Sequence, residues 1–263
     1  MGNFGYKHLT GLAWLAMLIT TLLVVLLLTK KKLNKGEDFD RAVIRYTAYF
    51  MWIWEIIKTI RMINATDYGP IGHYPIWMAP FHLCSMGLYA YLIIGSKKAS
   101  KFSDWLKPFS FAVMLLATSI ILTIPDSSGI LGTVPNWSFV YDNILPYQSF
   151  FYHGCLVFVP LYMVLSGYYK PTWLDILKAI AVLVVTACFS QTLNFVFEGS
   201  GADFMMLRYG NGNPFAFMLT TMPVMYYVIL GGVAIAGTAT IISITILIKM
   251  AISKVKSAKN NQL

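Results

Sequence analysis

Residues 9–29 read LTGLAWLAMLITTLLVVLLLT and run straight into Lys30-Lys31-Lys32. An uncharged apolar run of this length matches the ~20 residues that carry an α-helix across a bilayer. Similar runs recur at about 42–63, 80–95, 106–124, 147–168, 173–195 and 223–248, the third being the shortest. The chain is 57% hydrophobic and 12% charged, where soluble domains carry ~25% charged residues. Its mean hydropathy is +0.64. Connections between the runs are too short to hold a soluble domain. The expectation is an all-α, polytopic membrane helix bundle of about seven transmembrane helices. It forms one domain over 1–253, with a polar, disordered cytoplasmic tail over 254–263.

The net charge of +9 gives the orientation. Lys30, Lys31, Lys32, Lys35 and Arg41 follow the first run; Lys97, Lys98, Lys101 and Lys107 lie between the third and fourth. Lys170 separates the fifth and sixth, and Lys249, Lys254, Lys256 and Lys259 close the seventh. Seven spans put these 14 of the 20 Lys and Arg residues on one side. Lys7, Arg208, Asp67, Asp126, Asp142, Glu198 and Asp203 fall on the other. The positive-inside rule then sets the N-terminus out and the C-terminus in, at the cell membrane. The basic excess is thus a topology signal, and no nucleic-acid partner is expected. The first run carries its charges behind it and has no small-residue cleavage site, unlike a signal peptide. Cys84, Cys155 and Cys188 all lie within apolar runs, an odd set that makes no disulfide framework.

With depth assigned, the unusual polar residues gather toward the outer side. Pro80-Phe81-His82-Leu83-Cys84 opens span three, and His153 and Cys155 lie two turns into span five. Gln191 and Asn194 end span six, Glu55, Lys58 and Arg61 occupy the outer half of span two, and Pro125-Asp126 ends span four. His8 and His73 are also outside. Polar groups in lipid are costly and usually functional. Pro80 suits a first helical position, which sets Cys84 near a helix N-terminus, where the dipole favours a thiolate. His82 is two residues from Cys84 and points elsewhere on a regular helix, so His153 is the better base. The plainer readings stand beside these. Buried cysteines pack as small hydrophobes, helix histidines bond neighbouring helices, Glu55 and Lys58 can neutralise each other, and Arg61 can hold a phosphate or snorkel.

The stretch Ala79-Pro80-Phe81-His82-Leu83-Cys84-Ser85 resembles the Pro-Leu-His-Leu-Cys signature of the YwaF-like integral membrane proteins. Ile124-Pro125-Asp126 is similar to that family's Thr-Pro-Asp, and His153-Gly154 to its His-Gly. Asn194, then Asp203-Phe204-Met205-Met206-Leu207 and Asn213-Pro214, resembles its Asn, Asn-Tyr-Met-x-Leu and Pro series. The resemblance covers about 50–230. Ile124 stands where the family has threonine, and Asp203-Phe204 where it has Asn-Tyr. The family's animal relative is a phospholipid acyltransferase that carries the acyl chain on a cysteine and passes it to a lysophospholipid. The resemblance implies Cys84 as acyl-accepting nucleophile, His153 as its base and His82 as an orienting or binding group. Arg61, Glu55, Asn194, Gln191 and Asp126 are the expected substrate-binding residues, with Asn194 or Gln191 as oxyanion donors and Arg61 on the phosphate. Membrane phospholipids and lysophospholipids are the expected partners, with no cofactor and no metal. Two other classes remain open: a small-solute or ion transporter built on Glu55, Lys58 and Arg61, and a haem protein with His82 and His153 as axial ligands.

Overall fold

The computed structural model describes residues 6–64, 71–98, 100–123, 144–210 and 215–260. They form α1 (Tyr6–Lys32), α2 (Glu37–Asn64), α3 (Met86–Ile94), α4 (Lys101–Pro108), α5 (Leu115–Thr123), α6 (Ile144–Leu165), α7 (Leu174–Val196), α8 (Met218–Thr221) and α9 (Pro223–Asn260). No strand occurs among the described residues. A π-helical segment, Phe109–Met114, joins α4 to α5 directly behind Pro108, whose ring nitrogen has no hydrogen to donate.

Among the described residues five helices are long and apolar enough to cross a membrane: Thr10–Lys32, Lys101–Leu122, Gln148–Leu165, Leu174–Val196 and Pro223–Val255. They correspond to the first and the last four of the runs expected from sequence. Within the bundle, α6 and the α4–α5 helix are central, and α1, α7 and α9 are peripheral. The peripheral helices turn large apolar side chains outward, such as Trp14, Leu28, Val185, Val224 and Leu247. An outward apolar surface of this kind is the signature of a membrane or protein contact.

The second and third runs differ from expectation. α2 is long enough to span, but its apolar average is lowered by Asp40, Glu55 and Lys58, which are buried on its inner face. Its outer face is apolar, with Tyr46, Tyr49, Phe50, Ile53, Ile56 and Ile60 exposed at helical spacing. The third run is not a helix over 80–95. Regular helix covers only Met86–Ile94, about 14 Å at 1.5 Å per residue, and short of a ~30 Å hydrocarbon core. Pro75 and Pro80 withhold two backbone donors from the preceding stretch, which folds as turns instead.

α1 ends in a Schellman turn. Lys35 N bonds Lys30 O at 2.9 Å and Asn34 N bonds Lys31 O at 3.3 Å, with Asn34 left-handed at φ 47°. This turn lets Lys30 pair with Asp40 at 2.6 Å. Asp40 is fully buried and also accepts from the Tyr162 hydroxyl at 2.9 Å. The end of α3 seats on α2 at Gly95, where a Cβ would come within 2.6 Å of the Arg45 nitrogen. α9 continues helical to Asn260, so 254–260 is helix where the sequence suggested disorder, and 261–263 lie outside the described residues. Its Lys, Ala and Ser residues form helix readily, and no Gly or Pro interrupts them.

Candidate functional site around Cys84

The stretch before α3 brings His82 and Cys84 into the bundle. A 3-10 turn at Ile76–Met78 leads into short-range bonds: Phe81 N to Ala79 O (2.7 Å), Ser85 N to His82 O (2.9 Å) and Met86 N to Leu83 O (3.2 Å). Three contacts fix its position. The Ser190 hydroxyl of α7 donates to Phe81 O at 3.1 Å. The Phe81 ring packs edge-on to Phe189 and Phe204, at 6.0 and 5.5 Å. His82 packs edge-on to Phe204 at 5.3 Å. Cys84 directly precedes Ser85, the residue that caps α3. The helix therefore starts six residues later than Pro80 suggested, yet Cys84 still stands at its N-terminal end.

Beside this stretch lies a buried ion pair. Glu55 and Lys58 meet at 2.5 Å. Lys58 also donates to Met78 O at 3.1 Å, and Gln148 of α6 donates to Glu55 at 3.4 Å. The half-buried Cys84 thiol is within electrostatic reach of both charges. One turn along α6 from Gln148, the buried Tyr152 lies within reach of Cys84, Ser85 and Glu55. His153 follows it, also buried. No hydrogen bond joins Cys84 to His153.

Both histidine tautomers are set by backbone carbonyls. His153 Nδ1 lies 2.6 Å from Ser149 O, with the Ser149 hydroxyl at 3.2 Å. A nitrogen facing a carbonyl oxygen must carry the hydrogen, so Nε2 of neutral His153 is the acceptor. His82 Nε2 lies 3.0 Å from Trp77 O, which leaves its Nδ1 as the acceptor by the same reasoning.

Asn194 serves the wall of the site. It is fully buried. Its amide donates to Phe204 O at 3.1 Å and accepts from Phe204 N at 2.7 Å. It also donates to Gln191 at 3.3 Å. An amide so engaged has little left for an oxyanion. The held turn contains Met205 and Met206, both left-handed at φ 60° and 59°, a conformation that strains non-glycine residues. Tyr226 and Tyr227 donate to Met206 O and Leu207 O at 2.5 and 2.7 Å. Asp203 accepts from Arg208 N at 2.8 Å. The Arg208 side chain reaches Asn194 O at 2.7 Å and pairs with Glu198.

The expected residues thus divide. Glu55, His82 and Cys84 gather at one cluster, Asn194 and Gln191 build its wall, and His153 lies next to Tyr152 on α6, bonded within its own helix. Arg61 sits half-buried on the last turn of α2, and His73 is exposed. Asp126 lies outside the described residues, as do Asp67, Ile124, Pro125, Asn213, Pro214 and the His8 side chain. Gln148, Ser149, Tyr152 and Ser190 were not singled out from the sequence, and Phe204 was noted only as a departure from the family's Asn-Tyr. The available signal was spacing: Gln148 and Tyr152, like Ser149 and His153, are one helical turn apart.

A groove of about 290 Å³ runs beside the cluster, lined by Trp52, Glu55, Ile56, Thr59, Ile60, Tyr74 and Pro80. Its walls Ile56 and Ile60 belong to the exposed apolar face of α2. The buried Trp52 Nε1, a donor only, forms no hydrogen bond. Burial, then the Glu55 charge, pushes the Tyr74 phenol up to about 12, so it remains a donor at neutral pH. Among the described residues no group of three or more His, Cys, Asp or Glu could hold a metal ion. The arrangement provides a thiol near a buried ion pair, histidines held by backbone carbonyls, and an apolar groove with donors along it.

No curated protein and no solved structure matches the chain. Its apolar helices, and a family model that matches residues 3–246, agree on its class: the chain belongs to the TMEM164 family of membrane proteins.

Proposed function

We propose that this protein is a membrane-embedded acyltransferase that moves a fatty acyl chain from a phospholipid to Cys84, and then to a lysophospholipid. The observation that carries the reading is the placement of Cys84. Its thiol stands at the N-terminal end of α3, beside the buried Glu55–Lys58 pair, next to a groove whose apolar wall continues onto the exposed face of α2. The YwaF-like His-x-Cys and His-Gly stretches support the same reading.

A phospholipid enters the groove sideways, with its acyl chain along Ile56 and Ile60. His153 Nε2 takes the Cys84 thiol proton, directly or through one water, as the sulfur attacks the ester carbonyl. The tetrahedral intermediate collapses, the C–O bond breaks, and the lyso-lipid oxygen leaves with the proton from His153. A second lysophospholipid hydroxyl then attacks the thioester, giving its proton through His153 to the departing sulfur. His82 positions the Cys84 stretch through Trp77 and Phe204, and Arg61 receives the phosphate. In this reading α2 and the 76–94 stretch complete seven spans in the cell membrane, N-terminus out and C-terminus in.

The test is acyl exchange in proteoliposomes holding a phospholipid with a deuterated acyl chain and an unlabelled lysophospholipid. Wild type transfers the label, and Cys84→Ser drops to background. Undiminished transfer by Cys84→Ser overturns the mechanism. The buried Glu55–Lys58 pair favours one rival, a transporter. That reading predicts solute flux that survives Cys84→Ser.

A further inference from the structure

Tyr152 is 3% exposed, and its buried hydroxyl makes no hydrogen bond of ordinary length. Buried tyrosine hydroxyls usually find a partner. Leaving one without costs about 1–3 kcal/mol, and a phenylalanine would fill the same space without that cost. The groups around the hydroxyl are the Cys84 thiol, the Ser85 side chain and the Glu55 carboxylate. Any bond to Ser85 is a long one, and the hydroxyl lies within electrostatic reach of the sulfur that the proposed reaction acylates; α6 and α3 touch one turn further on, where Leu156 packs against Gly87. The other candidate donor, Asn194, is already bonded through both amide atoms to the Phe204 backbone.

We infer that the Tyr152 hydroxyl is the hydrogen-bond donor to the carbonyl oxygen of the acyl group under attack at Cys84, which makes Tyr152 a catalytic residue. The inference rests on the acyl-cysteine reading above. As sulfur adds to the ester carbon, the carbonyl π electrons move onto oxygen. The phenol donates a hydrogen bond to that oxygen and keeps its proton. The electrons return when the C–O bond to the lyso-lipid breaks. The ester oxygen also supplies the partner that the buried hydroxyl otherwise lacks.

The experiment compares wild type, Tyr152→Phe and Cys84→Ser in detergent with a short-chain phosphatidylcholine. Acylation of Cys84 is followed by intact mass. In parallel, alkylation of Cys84 by iodoacetamide reads the thiol without any carbonyl, and a thermal melt reads the fold. Tyr152→Phe is expected to acylate about 100-fold more slowly or worse, as for loss of one oxyanion donor. Its alkylation rate and melting temperature should match or exceed wild type. Unchanged acylation in Tyr152→Phe, with normal acylation of wild type, overturns the role of Tyr152 and leaves the acyl-cysteine reading standing. Acylation and alkylation falling together also overturns it, because Tyr152 would then act on the thiol. No acylation of wild type overturns both.

Discussion

Single side chains in this site do separable jobs, and the hydrogen bonds tell them apart. Asn194 is a fastener. Both amide atoms hold the Phe204 backbone, and through Phe204 they hold the ring that packs on His82. Asn194→Ala leaves a buried N–H and a buried C=O without partners, a cost of about 2–4 kcal/mol. Thermal melts should show a clear drop for that variant, and little change for Gln191→Ala, whose side chain is partly exposed. A neutral Asn194→Ala would contradict the fastening role. His153 is held differently, by one carbonyl of its own helix at 2.6 Å, which fixes the ring. The sequence made His82, Cys84 and His153 visible because such residues are rare in apolar helices. Tyr152 stayed hidden, because an aromatic residue in an apolar helix reads as packing until its hydroxyl is seen to lack a partner.

Among the elements, α2 explains most of what composition obscured. It keeps an apolar face outward and turns Asp40, Glu55 and Lys58 inward, so an average over its length hides a face suited to lipid. Glu55 and Lys58 are a coupled unit, with side chains only 5% and 9% exposed. Glu55→Gln leaves the Lys58 charge buried and uncompensated, which costs about 3–5 kcal/mol, whereas replacing both partners with neutral side chains is far milder. Melting temperatures should therefore rank wild type and Glu55→Gln/Lys58→Met well above Glu55→Gln. If the double variant melts as low as the single one, the pair is not the unit described. The stretch before α3 was misread from sequence for a related reason. Pro75 and Pro80 sit in an apolar run, and hydropathy cannot distinguish an apolar turn from an apolar helix. The end of α3 was equally hidden, since the contact of Gly95 with the Arg45 backbone pairs residues fifty positions apart.

For the whole molecule, the unusual polar groups meet at one end of the bundle, where α2 ends, α6 begins and α7 ends. The loop holding Phe204 and the first turns of α9 close it. The opposite end carries a different set: Lys30 with Asp40 and Tyr162, Arg45 with Gly95 O, and Lys178 with Asp175. The span pattern and lysine distribution made this division legible, because both follow from the cost of placing charge in lipid. The groove beside the cluster was not legible, because it depends on Ile56, Ile60, Tyr74 and Pro80 coming together from two segments. The proposed function joins this groove to the Cys84 stretch, whose Pro80 forms part of its wall. The measurement that tests it most directly is peptide mass mapping of protein incubated with phospholipid bilayers. A hydroxylamine-labile fatty acyl group on the peptide holding Cys84, lost in Cys84→Ser, is the predicted result. An unmodified Cys84 in protein that exchanges acyl chains would contradict the account.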